Sequence, residues 1–418
     1  MNVVIAGPFG HGTLADEAVL AGLLRHLAAG KHEATVLSAD PARTEELYGV
    51  PAVQATDACS MLSNRELWRA LGKAHLLVVA SGGVVSTHGA YPARAWLSLL
   101  EHAQTAGLQT AAVGLGAIGV DDPKECVRIQ RLLHNCAGGV STRDECSKQA
   151  LLNCGMGANR VSANGDPALA LSGTAVSGEP EPGRIGIVLA ESIPTRDTFG
   201  VEAHAADAPL LGATQALLNG LLSEAAVSVT LFHDDTEAGR ESARVLTDGA
   251  GQKRIAGQAA DCPLAEIRSR MAECSAILSF SLHGLILAAG AGVPVAGCDA
   301  EPGAAAFLAA LGLSQYVLPA RLLCPPGGAG VPPAAATEAV AAVRELAAHA
   351  AELRAPLTGK MAALRKKEAQ NARMLNLLVP RRVVYQRLKE SARDAAADAE
   401  GEPWPVRRGR AGQPKGRR

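Results

Sequence analysis

The sequence predicts an α/β protein of two facing domains, and three observations carry that expectation. The chain has 418 residues, more than one hydrophobic core usually sustains, so two domains of roughly 150–200 residues follow. Forty-eight per cent of the residues are hydrophobic but only 3% aromatic, which suits helices packed on sheets of small branched residues rather than an all-β fold. Short apolar runs alternate with longer stretches of helical period, as βαβ units and a parallel sheet require.

Residues 3–5, 34–37, 76–79 and 110–114 read as strands. Between the first two, ADEAVLAGLLRHLAAG sets Val19, Leu20, Leu23, Leu24 and Leu27 on one helical face. LSGTAVSGEPEPGR is rich in Gly, Pro and Ser and has no apolar period, so the expected organisation is a first domain over 1–172, a linker over 173–184 and a second domain over 185–323. The pattern restarts with strands at 184–189 and 227–232, helical APLLGATQALLNGLLSEA between them, then AECSAILSF, GVPVAGC and a helix over about 302–311. A flexible Pro/Gly segment is expected at 324–336, then C-terminal helices within 337–390, over roughly 337–353 and 356–378. Pro356 is placed near a helix start. Met361, Leu364, Met374, Leu375 and Leu378 form a stripe that returns to the first domain.

A net charge of −1 argues against a nucleic-acid groove. The terminal WPVRRGRAGQPKGRR holds six basic residues and no acidic one. Residues 391–418 therefore read as a disordered basic tail, either a peripheral contact for anionic lipid headgroups or a solvated tail with no partner. Nine scattered cysteines without a C-x-x-C pair indicate neither a disulfide framework nor a zinc site. The sequence opens directly on a strand, and no apolar run reaches the roughly 18 residues of a membrane span. A cytoplasmic location is expected.

The segments that could carry chemistry follow strand ends. In GPFGHGTLADEAVL a glycine turn opens a helix, and unpaired amides at such a start favour an anion. The spacing of Gly7, Gly10 and Gly12 is not the dinucleotide G-x-G-x-x-G, and no P-loop lysine follows. Gly10, Gly12 and Thr13 are ligand candidates, against the plain alternative of a tight strand-to-helix turn. VVASGGVVSTHGAY offers Gly82, Gly83 and Ser86 to a saccharide. STRDECSKQALLNCG places Arg143 and Asp144 at a strand-to-helix junction, as a structural ion pair or a substrate clamp. In NGDPALAL, Asp166 either faces the cleft or caps the short helix after Pro167. In SFSLHGLILAAG, His283 stands between a strand-like and a helix-like run, as an acid/base group or a polar residue tolerated at a crowded strand end.

Taken in order, GPFGHGTLADEAVL, VLSADPARTEELYGV, VVASGGVVS, STRDECSKQALLNCGM, NGDPALAL and SFSLHGLILAAGAGVPVAGCD resemble the polysaccharide pyruvyl transferase family, particularly its cell-wall-pyruvylating branch, over about residues 1–315. The resemblance implies a GT-B-like fold, two Rossmann-like domains around a cleft. It also implies transfer of pyruvate from phosphoenolpyruvate to a sugar as a ketal, with release of phosphate. Phosphoenolpyruvate would be the donor substrate, with no cofactor or metal, and the acceptor a saccharide or lipid-linked saccharide, placing the protein at the inner face of a membrane. The family's Arg-Leu-His histidine falls on His283, which would be the acid/base residue.

The chain departs from that pattern. Ser281 stands where the family arginine is usual, a second arginine would fall near Ala190, and Thr13 and Ala15 replace Asn and Gly. Each charge-assisted hydrogen bond is worth roughly 1.5–3 kcal/mol, so two lost cations weaken a site for a phosphate-carboxylate donor. Arg143, Arg196, Lys253 and Arg254 lie in segments expected at the cleft. Two alternatives stay open: a glycosyltransferase using a nucleotide sugar, and a catalytically idle member acting as a binding protein.

Overall fold

The structure is a computed structural model and describes residues 1–55, 64–80, 85–86, 91–118, 120, 122–189, 207–249, 254–299, 303–320 and 333–378. Near-continuous apolar runs make two parallel sheets, buried on both faces by flanking helices. The first contains β1 (Asn2–Phe9), β2 (Glu33–Ser38), β3 (Ala52–Gln54), β4 (Leu76–Ala80), β6 (Gln109–Leu115), β8 (Val140–Thr142) and β9 (Val161–Ser162) in the order β3-β2-β1-β4-β6-β8-β9. The strands β5 (Val85–Ser86) and β7 (Ala117–Ile118) pair separately. The second sheet contains β10 (Arg184–Val188), β11 (Ser228–His233), β12 (Ile255–Ala259), β13 (Ala276–Ser279), β14 (Val295–Cys298) and β15 (Val317–Leu318) in the order β12-β11-β10-β13-β14-β15.

Both sheets wind outward from their first strand in one direction and then, from the fourth, in the other. The direction reverses between β1 and β4 in the first sheet and between β10 and β13 in the second. Such reversals open a crevice at the carboxyl ends of the strands. In this chain the carboxyl ends of the two sheets face each other, giving the GT-B-like arrangement of two Rossmann-like units.

The helix Leu14–Ala29 shows how local sequence builds that seam. Thr13 caps it, its hydroxyl oxygen accepting from the Asp16 amide at 3.3 Å while the hydroxyl donates to Asp16 Oδ2 at 2.7 Å. Val19, Leu20, Leu23 and Leu27 are buried against the first sheet, with Leu24 at the margin. The same helix packs on Pro167–Leu171 and on the helix Leu282–Gly290 of the other half, and Leu14 and Ala18 join the second half's hydrophobic core.

The C-terminal chain returns to the first sheet as expected. Leu375 is buried beneath β1 and β4 with Met374 and Leu378 beside it, and Glu368, fully buried, bonds His26 at 2.6 Å. The helix boundaries differ from the sequence reading. The helices run Pro333–Ala348, Ala350–Glu368 and Gln370–Asn376, so Pro356 lies inside a helix rather than near its start. The break comes at His349, whose ring bonds the Glu345 carbonyl at 2.9 Å and satisfies a terminal acceptor of the preceding helix.

Candidate active site

His283 is the second residue of the helix Leu282–Gly290, directly after β13, and so stands at the carboxyl edge beside the reversal point of the second sheet. The turn that places it is held by Ser279, whose hydroxyl donates to the Ser281 carbonyl at 2.7 Å and accepts from the Ser281 amide at 3.1 Å. Gly284 is required here because a Cβ would meet Ser279 Oγ at 2.4 Å and Val188 Cγ1 at 2.8 Å. Across the seam Asp166 follows β9 and does both things the sequence left open. Its Oδ1 accepts from the Ala168 amide at 2.9 Å, capping Pro167–Leu171, and its Oδ2 lies 3.0 Å from His283 Nε2. The two side chains are only 2% and 6% exposed.

Burial pushes the Asp166 carboxyl up, but the His283 charge and hydrogen bond, the Ala168 amide and the Arg143 charge together hold it below the usual carboxylate range. Asp166 is thus an ionised carboxylate in a closed site, and it fixes the orientation of the imidazole. Arg143 is buried, with Nε 3.0 Å from Asp144 Oδ2, and Asp144 caps the helix Glu145–Asn153 through the Ser147 amide. The expected ion pair therefore exists, and it lies beside the His283–Asp166 pair. Gly303, opening the helix Ala304–Leu311, abuts Asp144, since a Cβ there would lie 3.1 Å from Oδ2.

The glycine turn after β1 lies elsewhere along the seam. Gly10 and Gly12 both have φ of +78°, the left-handed region open to glycine. The Gly10 amide donates to Glu17 at 3.3 Å, and the Gly12 carbonyl accepts from the Asp235 amide at 2.8 Å. The Leu14 amide, one of the unpaired donors that made this helix start an anion candidate, donates to Asp234 Oδ1 at 2.6 Å. A carboxylate of the second half thus stands where the sequence reading put a ligand anion. Because β11 is two strands from β13, this contact lies about 10 Å along the seam from His283.

Gly10, Gly12 and Thr13 therefore meet Asp234 and Asp235, whereas Arg143, Asp166 and Ser281 gather around His283. Ser281 makes no cap bond with its side chain. Gly82 and Gly83 lie outside the described residues, as do Ala190, Arg196, Lys253 and the basic tail, while the Ser86 backbone lies in β5. Arg254 is not at the cleft. It precedes β12, at the amino edge of the sheet, and bonds the carbonyls of Leu222, Glu224 and Val227.

Sequence reasoning missed Arg43, Asp234 and Asp235. Arg43 crosses the seam to bond Asp235 and the Ala260 carbonyl, and Asp235 also pairs with Arg240. The available signal was the acidic doublet directly after the apolar run of β11, at the same edge as His283.

The sequence profile of the polysaccharide pyruvyl transferase family matches residues 16–302. No curated protein matches the chain. Among solved structures, UDP-bound MnaA of S. aureus superposes with a TM-score of 0.55 at 13% identity, over 85% of this chain and 90% of that one. The UDP-GlcNAc 2-epimerase of Methanocaldococcus jannaschii, in complex with UDP-GlcNAc and UDP, gives 0.52 at 14%, over 82% and 92%. HepE of Anabaena, in complex with UDP and glucose, gives 0.55 at 13%, over 90% and 100%. At these identities the likeness is one of fold. Among the described residues, no helix is long and apolar enough to cross a membrane. The profile match covers more than half of the chain, takes in all described strands but β1 and β15 and includes the His283–Asp166 pair, and on that ground the chain belongs to the polysaccharide pyruvyl transferase family.

Proposed function

We propose that the protein transfers the pyruvyl group of phosphoenolpyruvate to two hydroxyls of a cell-envelope saccharide as a ketal, with His283 as the acid/base residue. The observation that carries this reading is the buried His283–Asp166 pair at the sheet reversal point, in a chain of this family. A proton added to the donor's methylene makes it a methyl group, and a sugar hydroxyl oxygen bonds to the adjacent carbon. The carbon–oxygen bond to phosphate breaks, the second hydroxyl closes the ketal, and the hydroxyl protons leave with base and phosphate. His283 supplies the first proton and accepts one from an attacking hydroxyl. With Nε2 engaged by Asp166, these transfers go through Nδ1, and the Asp166 carboxylate stabilises the imidazolium between them.

Arg143 is the cation beside this pair, and it supports binding of the donor's negative charge where Ser281 replaces the usual arginine. Ser281 favours one second reading, a nucleotide-sugar donor, since a diphosphate asks less of arginines than a phosphate-carboxylate does. The solved structures cited above that hold UDP or UDP-GlcNAc belong to proteins of the same fold.

The test is phosphate release from phosphoenolpyruvate in the presence of a lipid-linked or polymeric envelope saccharide. Release is expected, and His283→Ala should lower its rate by about 10²–10⁴-fold, the usual worth of a positioned acid/base group. No release with any envelope acceptor, together with thermal stabilisation by UDP- or GDP-sugars but not by phosphoenolpyruvate, would overturn the pyruvyl reading.

A further inference from the structure

A cavity lies on the seam between the two halves. About 250 Å³ in volume, it is enclosed by the helices Leu14–Ala29 and Pro41–Tyr48 of the first half, the connecting residues 171–175 and the helix Leu264–Ala272 of the second. Its wall is mainly aliphatic, Leu171 and Leu264 among the residues forming it, and Arg268 supplies its one basic group.

Arg268 is 2% exposed. Its terminal nitrogens reach Thr174 and the Gly290 carbonyl, all neutral acceptors, and its buried Nε has no partner among the described residues. A buried guanidinium is ordinarily matched by a carboxylate, because an uncompensated buried charge is costly. The one carboxyl in the wall, Glu17, is engaged by the Tyr48 hydroxyl and the Gly10 amide. The charge acting on Arg268 is another cation, Arg25 on the helix Leu14–Ala29, and burial with that repulsion lowers the guanidinium's pKa to about 10. The cavity therefore has a built cationic end without a counter-charge and an apolar body.

We infer that this cavity binds a small organic anion, its oxyanion head on Arg268 and its apolar body against Leu171 and Leu264. The volume lies below the roughly 300–1,000 Å³ of drug-sized pockets, so the occupant is a metabolite of short chain length. The wall comes from both halves and their connection, so a bound ligand bridges them. The inference stands apart from the pyruvyl reading, since none of these residues touches His283 or Asp166.

Calorimetric titration of the full chain with butyrate and, separately, with inorganic phosphate tests it and distinguishes an organic carboxylate from a phosphate as the source of the head group. One saturable site is expected for butyrate, with a concentration-dependent rise in Tm. Arg268→Gln should weaken binding at least tenfold. Ala175→Trp, at an exposed position in the wall, fills the cavity, leaves Arg268 in place and should do the same, which keeps the test decisive if Arg268→Gln does not fold. His283→Ala should leave the affinity unchanged. A site for phosphate but not for butyrate would overturn the apolar-body assignment. The inference fails outright if neither anion binds, if binding survives Ala175→Trp, or if His283→Ala abolishes it.

Discussion

Asp166 and Glu17 are two carboxyls of the same half, both buried at the seam, 2% and 4% exposed, and their environments send them in opposite directions. Burial pushes both up. At Asp166 a full charge on His283, helped by the Ala168 amide and by Arg143, overcomes it. At Glu17 burial prevails over the Tyr48 hydroxyl, the Gly10 amide and the Arg43 charge, and its carboxyl is held above the usual range. The difference is the commitment of the nearby cation. His283 bonds Asp166 directly, whereas Arg43 spends its hydrogen bonds on Asp235 and Ala260 and acts on Glu17 only through its charge. One buried carboxyl is thereby held below its usual range beside His283, and the other is held above its usual range where it braces the glycine turn.

The largest break in this contrast comes from Asp166→Ala. It leaves the His283 imidazole buried without its carboxylate and uncaps Pro167–Leu171. Removing one partner of a buried pair costs about 3–5 kcal/mol, which denaturant unfolding should register. Asp166→Asn keeps a capping oxygen, so it should lose less stability while the transfer rate still falls by about 10²-fold or more, because the imidazole is no longer held in one tautomer. An Asp166→Asn variant that keeps the natural transfer rate while Asp166→Ala loses stability would mean that Asp166 is only a cap.

The pH dependence of stability separates the two carboxyls by sign. The folded-state pKa of Asp166 is depressed below 3.8, so its contribution is complete above that value and is lost as pH falls through the folded pKa. The folded-state pKa of Glu17 is raised above 4.5. Its ionisation therefore opposes folding, and the cost grows as pH rises from 4.5 through the folded pKa. Urea titrations between pH 4 and pH 8 should show Glu17→Gln gaining on the natural chain as pH rises, by on the order of 1 kcal/mol. Asp166→Asn should show a constant deficit across this whole range, since the Asp166 contribution is lost only below pH 3.8. A Glu17→Gln difference that does not change with pH would show that Glu17 titrates normally.

Much of this architecture is legible in the sequence. Alternating apolar runs locate the sheet strands because parallel strands are buried on both faces, and the apolar period of Val19, Leu20, Leu23, Leu24 and Leu27 marks the first helix. Asp166 and Arg143 are legible as residues at strand ends, but their purpose is not. The partner of Asp166 is 117 residues away, and only the facing of the two sheets joins them. Arg43 and Asp235 are hidden for the same reason, 192 residues apart on opposite sides of the seam. Pro356 misleads because a proline inside a helix resembles one at its start, while the observed break at His349 carries no helix-breaking residue to mark it.

Arg43→Met has the smallest expected effect on stability and the finest bearing on the comparison. The ion pair with Asp235 is partly exposed, with side chains 21% and 14% accessible, and Asp235 keeps Arg240 as a second cation. Its loss should therefore lower Tm by no more than the equivalent of about 1 kcal/mol. The removed charge also acts on Glu17, whose ionised form it favours. Without it the Glu17 carboxyl should stay protonated to still higher pH, and the window in which Glu17→Gln gains stability should move upward in the Arg43→Met background. A double-mutant cycle followed across pH measures that shift directly. If the window stays in place, Arg43 serves only to hold the two halves together through Asp235 and does not act on the Glu17 carboxyl.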